Sequence, residues 1–325
     1  MKNPCFSSVL APRFESYIAL QRAAGADYRS PACILSRFDR FLSEEDWQGD
    51  SLTQEIVERY VRSLSRLSER TRYVEGCLLR RFCVYLCQFD PDAYVPDPGS
   101  PRNNKVRADL YVFTERQVKA LLQAALQLPP PGSLRPMTAH TLFGLVYSCG
   151  LRISEAIGLD LADVYLAERK LFIHKSKFQK SRWVPMSPST TTALGRYIER
   201  RTALFAATPQ DPVFVHLRGG RFFHQTVYTD FRQALQRCGL RGGKGSPGPR
   251  IHDLRHAFAC QRLLEWYRQG RDVNALLPAL ATYMGHTCIS YTQTYLHATP
   301  ELMQAATERF HHNFRNNVLR EGDLS

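Results

Sequence analysis

The sequence predicts a mainly α-helical chain with one small β-hairpin, an α+β arrangement split into two domains. Three observations predict it. Apolar residues recur at helical spacing over most of the length. Two short strand-like runs, Lys170 to His174 and Arg182 to Met186, flank a polar turn. A stretch dense in proline, Asp90-Pro91 and then Pro96-Asp97-Pro98-Gly99-Ser100-Pro101, interrupts the pattern near one third of the chain. The expected division is an all-α domain over 1–100, a linker over 101–108, a mixed domain over 109–312 and a tail over 313–325.

The elements follow in order. Phe14 to Gln21 carries Tyr17, Ile18 and Leu20, and Cys33 to Leu42 carries Ile34, Leu35, Phe38 and Phe41. Thr53-Gln54-Glu55 opens a helix through Ile56, Val57, Tyr60 and Val61; Thr71 to Leu86 sets Val74, Leu78, Leu79, Phe82 and Leu86 at helical spacing. In the second domain Thr114-Glu115-Arg116-Gln117 is a capping box before Val118, Leu121, Leu122 and Leu126. A helix from Met137 to Cys149 stops at Gly150, where a left-handed cap fits. After the hairpin, helices are expected near 188–204, 225–238, 252–268, 273–284 and 299–312, with a Gly- and Pro-rich loop from Arg241 to Pro249.

Charge narrows the class of partner. The chain has 43 Lys and Arg against 30 Asp and Glu, a net charge of +13. Residues 1–100 hold 13 basic and 14 acidic side chains, so the excess lies in 101–325, with 30 and 16. Such an excess suits a polyanion. Within the first domain Arg59, Arg62, Arg66 and Arg70 keep the spacing of one helical stripe, either a solvated face or one that meets phosphates. The longest apolar run, Thr141 to Cys149, is too short to span a bilayer, and Met1 to Cys5 begins no secretory signal, so a cytoplasmic protein off the membrane is expected. Nine cysteines without a Cys-x-x-Cys pair argue against a disulfide framework or zinc ribbon; Cys83 and Cys87 read as small core residues. The run Arg241 to Ser246 is not a phosphate loop, because Cys238 and Gly245 stand where that motif needs Gly and Ser or Thr.

Five segments of the second domain carry chemistry: Gly150-Leu151-Arg152-Ile153-Ser154-Glu155, Lys177 to Pro185, His252-Asp253-Leu254-Arg255-His256, Met284-Gly285-His286, and Tyr295. In this order and spacing they closely resemble the tyrosine recombinase (phage integrase) family, which includes Xer-type recombinases and integrases of mobile elements. Met284 stands where leucine is usual, and Tyr291 adds a second tyrosine. The resemblance implies an N-terminal core-binding (SAM-like) domain, an integrase-type catalytic domain, and site-specific recombination of DNA through a 3′-phosphotyrosyl intermediate. A phenol with an ordinary pKa of about 10 needs help to attack phosphorus. Two guanidinium groups can grip the non-bridging oxygens and offset the charge that builds there.

Residue by residue, the resemblance makes Arg152 and Arg255 those arginines and Lys177 the acid for the leaving 5′ oxygen. It makes His252 the histidine for proton transfer and phosphate hydrogen bonding, His286 the one that donates to the scissile phosphate, and Tyr295 the nucleophile. Lys175 and Lys180 are rivals for the acid, though counting back from Arg182-x-x-Pro185 selects Lys177. Tyr291 is the rival nucleophile, read as a packing residue. Glu155 is the partner that aims Arg152, and His256 and His297 are support or surface residues. No metal or other cofactor is implied. The implied partners are double-stranded DNA and three further subunits, identical or related, on paired sites. The alternatives are a DNA-binding protein of the same fold without catalysis and a type IB topoisomerase.

Overall fold

The computed structural model describes residues 4–49, 51–97, 111–174, 181–241, 248–286 and 288–310. The chain divides into two compact units, Met1–Ala108 and Asp109–Ser325, each with its own apolar core. The expected linker at 101–108, the middle of the Arg241–Pro249 loop and the tail at 313–325 lie outside the described residues.

The first unit is built from α1 (Ala11–Ala23), α2 (Arg29–Glu44), α3 (Gln54–Ser63) and α4 (Glu69–Leu86), with no strand among the described residues. Its core is aromatic: Phe14 stacks on Phe82 with ring centroids 4.3 Å apart and meets Phe38 edge-on at 6.1 Å. Cys83 is buried there and Cys87 is half-buried. The basic stripe expected along one helix does not form. Helix α3 ends at Ser63, one 3-10 turn spans Leu64–Arg66, and Leu67 and Ser68 are extended with ψ of 156° and 150°. The Ser68 hydroxyl accepts from the Thr71 N–H at 3.2 Å, so a helix cap forms where the stripe needs a continuous helix. Arg59 and Arg62 sit on α3, paired with Glu45 and Glu58; Arg66 sits in the turn and Arg70 on α4.

The second unit opens with α5 (Glu115–Ala125), where Thr114 and Gln117 exchange the two hydrogen bonds of a capping box. Helix α6 (Arg135–Cys149) runs through the core against α5, α8 (Pro188–Leu204) and α10 (His252–Arg268). It stops at Gly150, whose φ of +61° lies in the left-handed region. A Cβ there would come within 2.4 Å of the Phe258 ring. The short α7 (Ile153–Gly158) follows directly.

A three-stranded antiparallel sheet then forms in the order β1 (Val164–Tyr165), β2 (Lys170–Ile173), β3 (Arg182–Pro185). Its buried face pairs Leu171 with Val184. The hairpin agrees with the sequence pattern; β1 goes beyond it, because two residues are too few to show alternation. The chain continues through α9 (His224–Arg237), α11 (Val273–Met284), α12 (Ser290–Gln293) and α13, which is helical over 300–310. A satellite cluster of Phe258, Leu263, Leu277, Leu280, Met284, Tyr295 and Leu302 joins α10, α11 and α13. Among the described residues no helix is long and apolar enough to cross a membrane.

Candidate active site

The site is assembled around the end of α11. The last carbonyls of a helix have no partner within it and carry the negative end of its dipole, so they attract cationic donors. Three consecutive carbonyls here each take one arginine. Tyr283 accepts from Arg182 Nε at 2.7 Å, Met284 from Arg255 Nη2 at 2.5 Å and Gly285 from Arg152 Nη2 at 2.6 Å. Gly285 is left-handed (φ +66°), and the N–H groups of Gly285 and His286 turn back to Thr282 and Ala281 in a Schellman turn. That turn sets His286 beside the arginines. The Met284 side chain, at the position where leucine is usual, is buried in the satellite cluster.

Glu155 binds the arginines from the other side. Its carboxylate accepts from Arg152 Nη1 (2.8 Å), from the Arg152 backbone N–H (2.9 Å) and from both terminal nitrogens of Arg182 (3.0 and 2.9 Å). Burial alone would raise the Glu155 pKa. Hydrogen bonding and charge from Arg182, then from Arg152, outweigh it and hold the carboxyl below its usual range. Arg255 is buried on the first turn of α10 and also donates from Nη1 to the Gly150 carbonyl at 2.6 Å. Burial, with the Arg152 charge next, pushes its pKa down to about 10, which leaves it charged at neutral pH. Its Nε–H is buried without a hydrogen-bond partner among the described residues. An unpaired buried cationic donor is costly unless an anion meets it.

The histidines and the tyrosine close the pocket. Nδ1 of His286 lies 2.8 Å from the hydroxyl of buried Thr292, which fixes the ring. Burial, then the charges of Arg255 and Arg152, lower the His286 pKa to about 4. His252 opens α10 with its ring 4.6 Å from that of His256 and nearly perpendicular to it, and burial lowers its pKa to about 4. Tyr295 is 2% exposed, its ring 6.3 Å from that of His286. Burial pushes its hydroxyl up to about 12, while the charges of Arg255 and Arg152 act in the opposite direction.

Five of the six expected site residues (Arg152, His252, Arg255, His286 and Tyr295) therefore converge on one pocket, and Lys177 lies outside the described residues along with its rivals Lys175 and Lys180. Tyr291, expected to pack, is 61% exposed, because it sits on the solvent side of the one-turn α12. Two members of the site were not expected. Arg182, in the sequence only the end of the hairpin pattern, shares Glu155 with Arg152. His256, by sequence a support or surface residue, has its Nδ1 2.9 Å from the Tyr295 hydroxyl. Its place one residue after Arg255 was the available signal; only the packing of α10 against Tyr295 gives it meaning. Among the described residues no cluster of His, Cys, Asp and Glu is arranged to hold a metal ion. What the pocket offers is a buried phenol, neutral imidazoles and a guanidinium pair with a free donor, a set suited to a phosphodiester.

The phage integrase family model matches residues 111–301, more than half of the chain. The chain is 36% identical to a protein of Sinorhizobium fredii named as an integrase/recombinase, y4rB, across 91% of this chain and 95% of that one. It is 33% identical to the tyrosine recombinase XerD of Proteus mirabilis across 72% of this chain and 69% of that one. A solved structure of the Tn1549 transposon integrase, in complex with a circular intermediate DNA, has the same fold. Its TM-score is 0.63 at 19% identity, over 94% of this chain and 100% of that one. With relatives this similar over most of its length and a family match that takes in every segment of the pocket, the chain belongs to the phage integrase family and is a tyrosine recombinase.

Proposed function

We propose that this enzyme cuts and rejoins double-stranded DNA at specific sites through a 3′-phosphotyrosyl bond to Tyr295, without metal or ATP. The observation that carries the reading is the Tyr295 hydroxyl. It is buried in its own chain's pocket, under the charges of Arg255 and Arg152, where a phosphate bound by the arginines would be in reach. In this reading Arg152 and Arg255 hold the non-bridging oxygens, and the unpartnered Nε–H of Arg255 is one of the donors that receives them. His252 and His286 bind the same phosphate, and Lys177 protonates the 5′ oxygen as it leaves. Energy from the broken phosphodiester is kept in the covalent bond, so rejoining needs no cofactor.

The first unit serves as the core-binding domain and the second as the catalytic domain. The enzyme works in the cytoplasm as a tetramer, of this chain alone or with a related recombinase, on paired sites belonging to a mobile element. Support for assembly comes from α13. Leu302 is buried in the enzyme's own satellite cluster, but Met303 and Phe310 are 54% and 67% exposed, apolar area that a neighbouring subunit can cover.

The test is covalent trapping on nicked duplexes tiled across DNA on either side of the coding region. Wild type and Tyr291→Phe should give an adduct that survives SDS, and Tyr295→Phe none. An adduct that persists in Tyr295→Phe, or relaxation of any supercoiled plasmid without paired sites, would count against this assignment.

A further inference from the structure

His256 is the hydrogen-bond partner of the Tyr295 hydroxyl among the described residues, at 2.9 Å from Nδ1, with ring centroids 5.4 Å apart. Its side chain is 12% exposed, and His286 is close enough to act on it electrostatically. Tyr295 lies on the Nδ1 side and the His252 ring crosses it at 4.6 Å. Asp253 Oδ1 is 3.9 Å from Nε2, and Arg250 and Arg255 supply the nearby positive charge. Asp253 is itself fixed by the backbone N–H of Arg250 (2.7 Å) and by its guanidinium (3.1 Å). A carboxylate on the Nε2 side favours the tautomer with its proton there, which leaves the Nδ1 lone pair to accept from the phenol.

We propose that His256 is the catalytic proton acceptor for Tyr295, whereas the family resemblance implied His252 for proton transfer. The proposal rests on the recombinase reading of the site. As Oη bonds to phosphorus and the P–O5′ bond breaks, the phenolic proton moves to Nδ1 of His256, and the leaving 5′ oxygen takes a proton from Lys177. On rejoining, a 5′-hydroxyl attacks phosphorus and gives its proton to Lys177, and His256 returns its own to Tyr295. An in-line exchange needs acceptor and acid to be different groups, and the proposal assigns them to different residues.

The resting state is suited to this role. Burial, then the charges of Arg250 and Arg255, hold the His256 pKa at about 4, so the imidazole is neutral and can accept at neutral pH. A phosphate seated on Arg255 offsets one of those charges and raises the proton affinity of His256 when DNA is in place. The buried phenol lacks bulk water as an alternative acceptor.

The experiment is single-turnover adduct formation by wild type, His256→Ala, His256→Asn and Tyr295→Phe. Each is assayed on ordinary nicked DNA and on DNA with sulfur at the bridging 5′ position, with DNA binding and thermal unfolding as controls for folding. Asparagine keeps a hydrogen-bonding group near the Nδ1 position but cannot take the proton. Both His256 variants should bind DNA as wild type does and form adduct about 10²- to 10⁴-fold more slowly. Their rates should climb with pH up to about 9, as hydroxide replaces the lost acceptor. Sulfur should not restore them, because a thiolate leaves without a proton while the phenol must still lose one. Recovery by His256→Asn to within about threefold of wild type would overturn the proposal, since a hydrogen bond alone would then suffice. Full rescue by sulfur would also overturn it. A wild-type enzyme that forms no adduct on any duplex would instead overturn the recombinase reading, and this proposal with it.

Discussion

Glu155 is the residue on which the pocket's charge balance turns. It is nearly buried, and without it Arg152 and Arg182 would both lose their carboxylate partner. Removing one partner from a buried ion pair typically costs several kcal/mol, because the charge left behind stays desolvated. Glu155→Gln keeps the shape and removes the charge, so it should lower unfolding free energy by about 3 kcal/mol and slow adduct formation by at least about 100-fold. The pH dependence follows from the lowered carboxyl pKa. A carboxylate held below its unfolded value stabilises the fold fully above that value, about 4.3 for Glu, and the benefit fades as pH falls through the lower, folded value. The gap in stability between wild type and Glu155→Gln, measured by urea unfolding, should therefore be constant near neutral pH and close in acid. At this scale the sequence was informative about which residues and silent about their neighbours. The spacing of Arg152 and Glu155, one helical turn apart, was enough to pair them. Arg182 joins them across 27 positions, through β3, and His256 reaches Tyr295 across 39, so neither contact has a local pattern that could announce it.

At the scale of elements, the end of α11 organises the site, and its glycine is the weak point. The spacing of apolar residues located α11 and most other helices, because burying one face imposes that period. Breaks were harder to read. The boundary between α3 and α4 depends on a serine cap outcompeting one more helical turn, and the arginine periodicity ran straight across it. At Gly285, by contrast, backbone and packing agree. A Cβ there would sit 3.1 Å from Arg182 Nη1 and 3.2 Å from Arg152 Nη1, groups already held by Glu155 and by the α11 carbonyls. The left-handed φ adds roughly 1–2 kcal/mol for any residue with a Cβ. Gly285→Ala should thus lose about that much stability in urea unfolding, and adduct formation should fall further than the stability loss explains, since both arginines must shift. An alanine enzyme that is destabilised yet cleaves at the wild-type rate would mean that the arginine positions are not set by this turn.

Across the whole molecule, the uneven charge decides how the enzyme meets DNA. The second unit carries nearly all of the excess, yet the first holds a local run of arginines inside a segment with no net positive charge. Summed charge governs approach from a distance; contact with phosphates is governed by what is exposed at a given patch. Arg59 and Arg62 already have carboxylate partners on the surface of the first unit, and exposed pairs of that kind are weak enough to be exchanged for a phosphate. Arg66 and Arg70 are exposed on either side of the break between α3 and α4. If six to ten phosphates are neutralised in all, affinity for a duplex should drop by about 10³- to 10⁵-fold between about 50 and 200 mM salt. Arg66→Gln and Arg70→Gln should each reduce the slope of log affinity against log salt by about 1, with Tyr295→Phe leaving it unchanged. Titrations of a labelled duplex at several salt concentrations separate the two ideas of this surface. A slope that both glutamine variants share with wild type would make the arginines a solvated face, and would leave DNA contact by the first unit to other side chains.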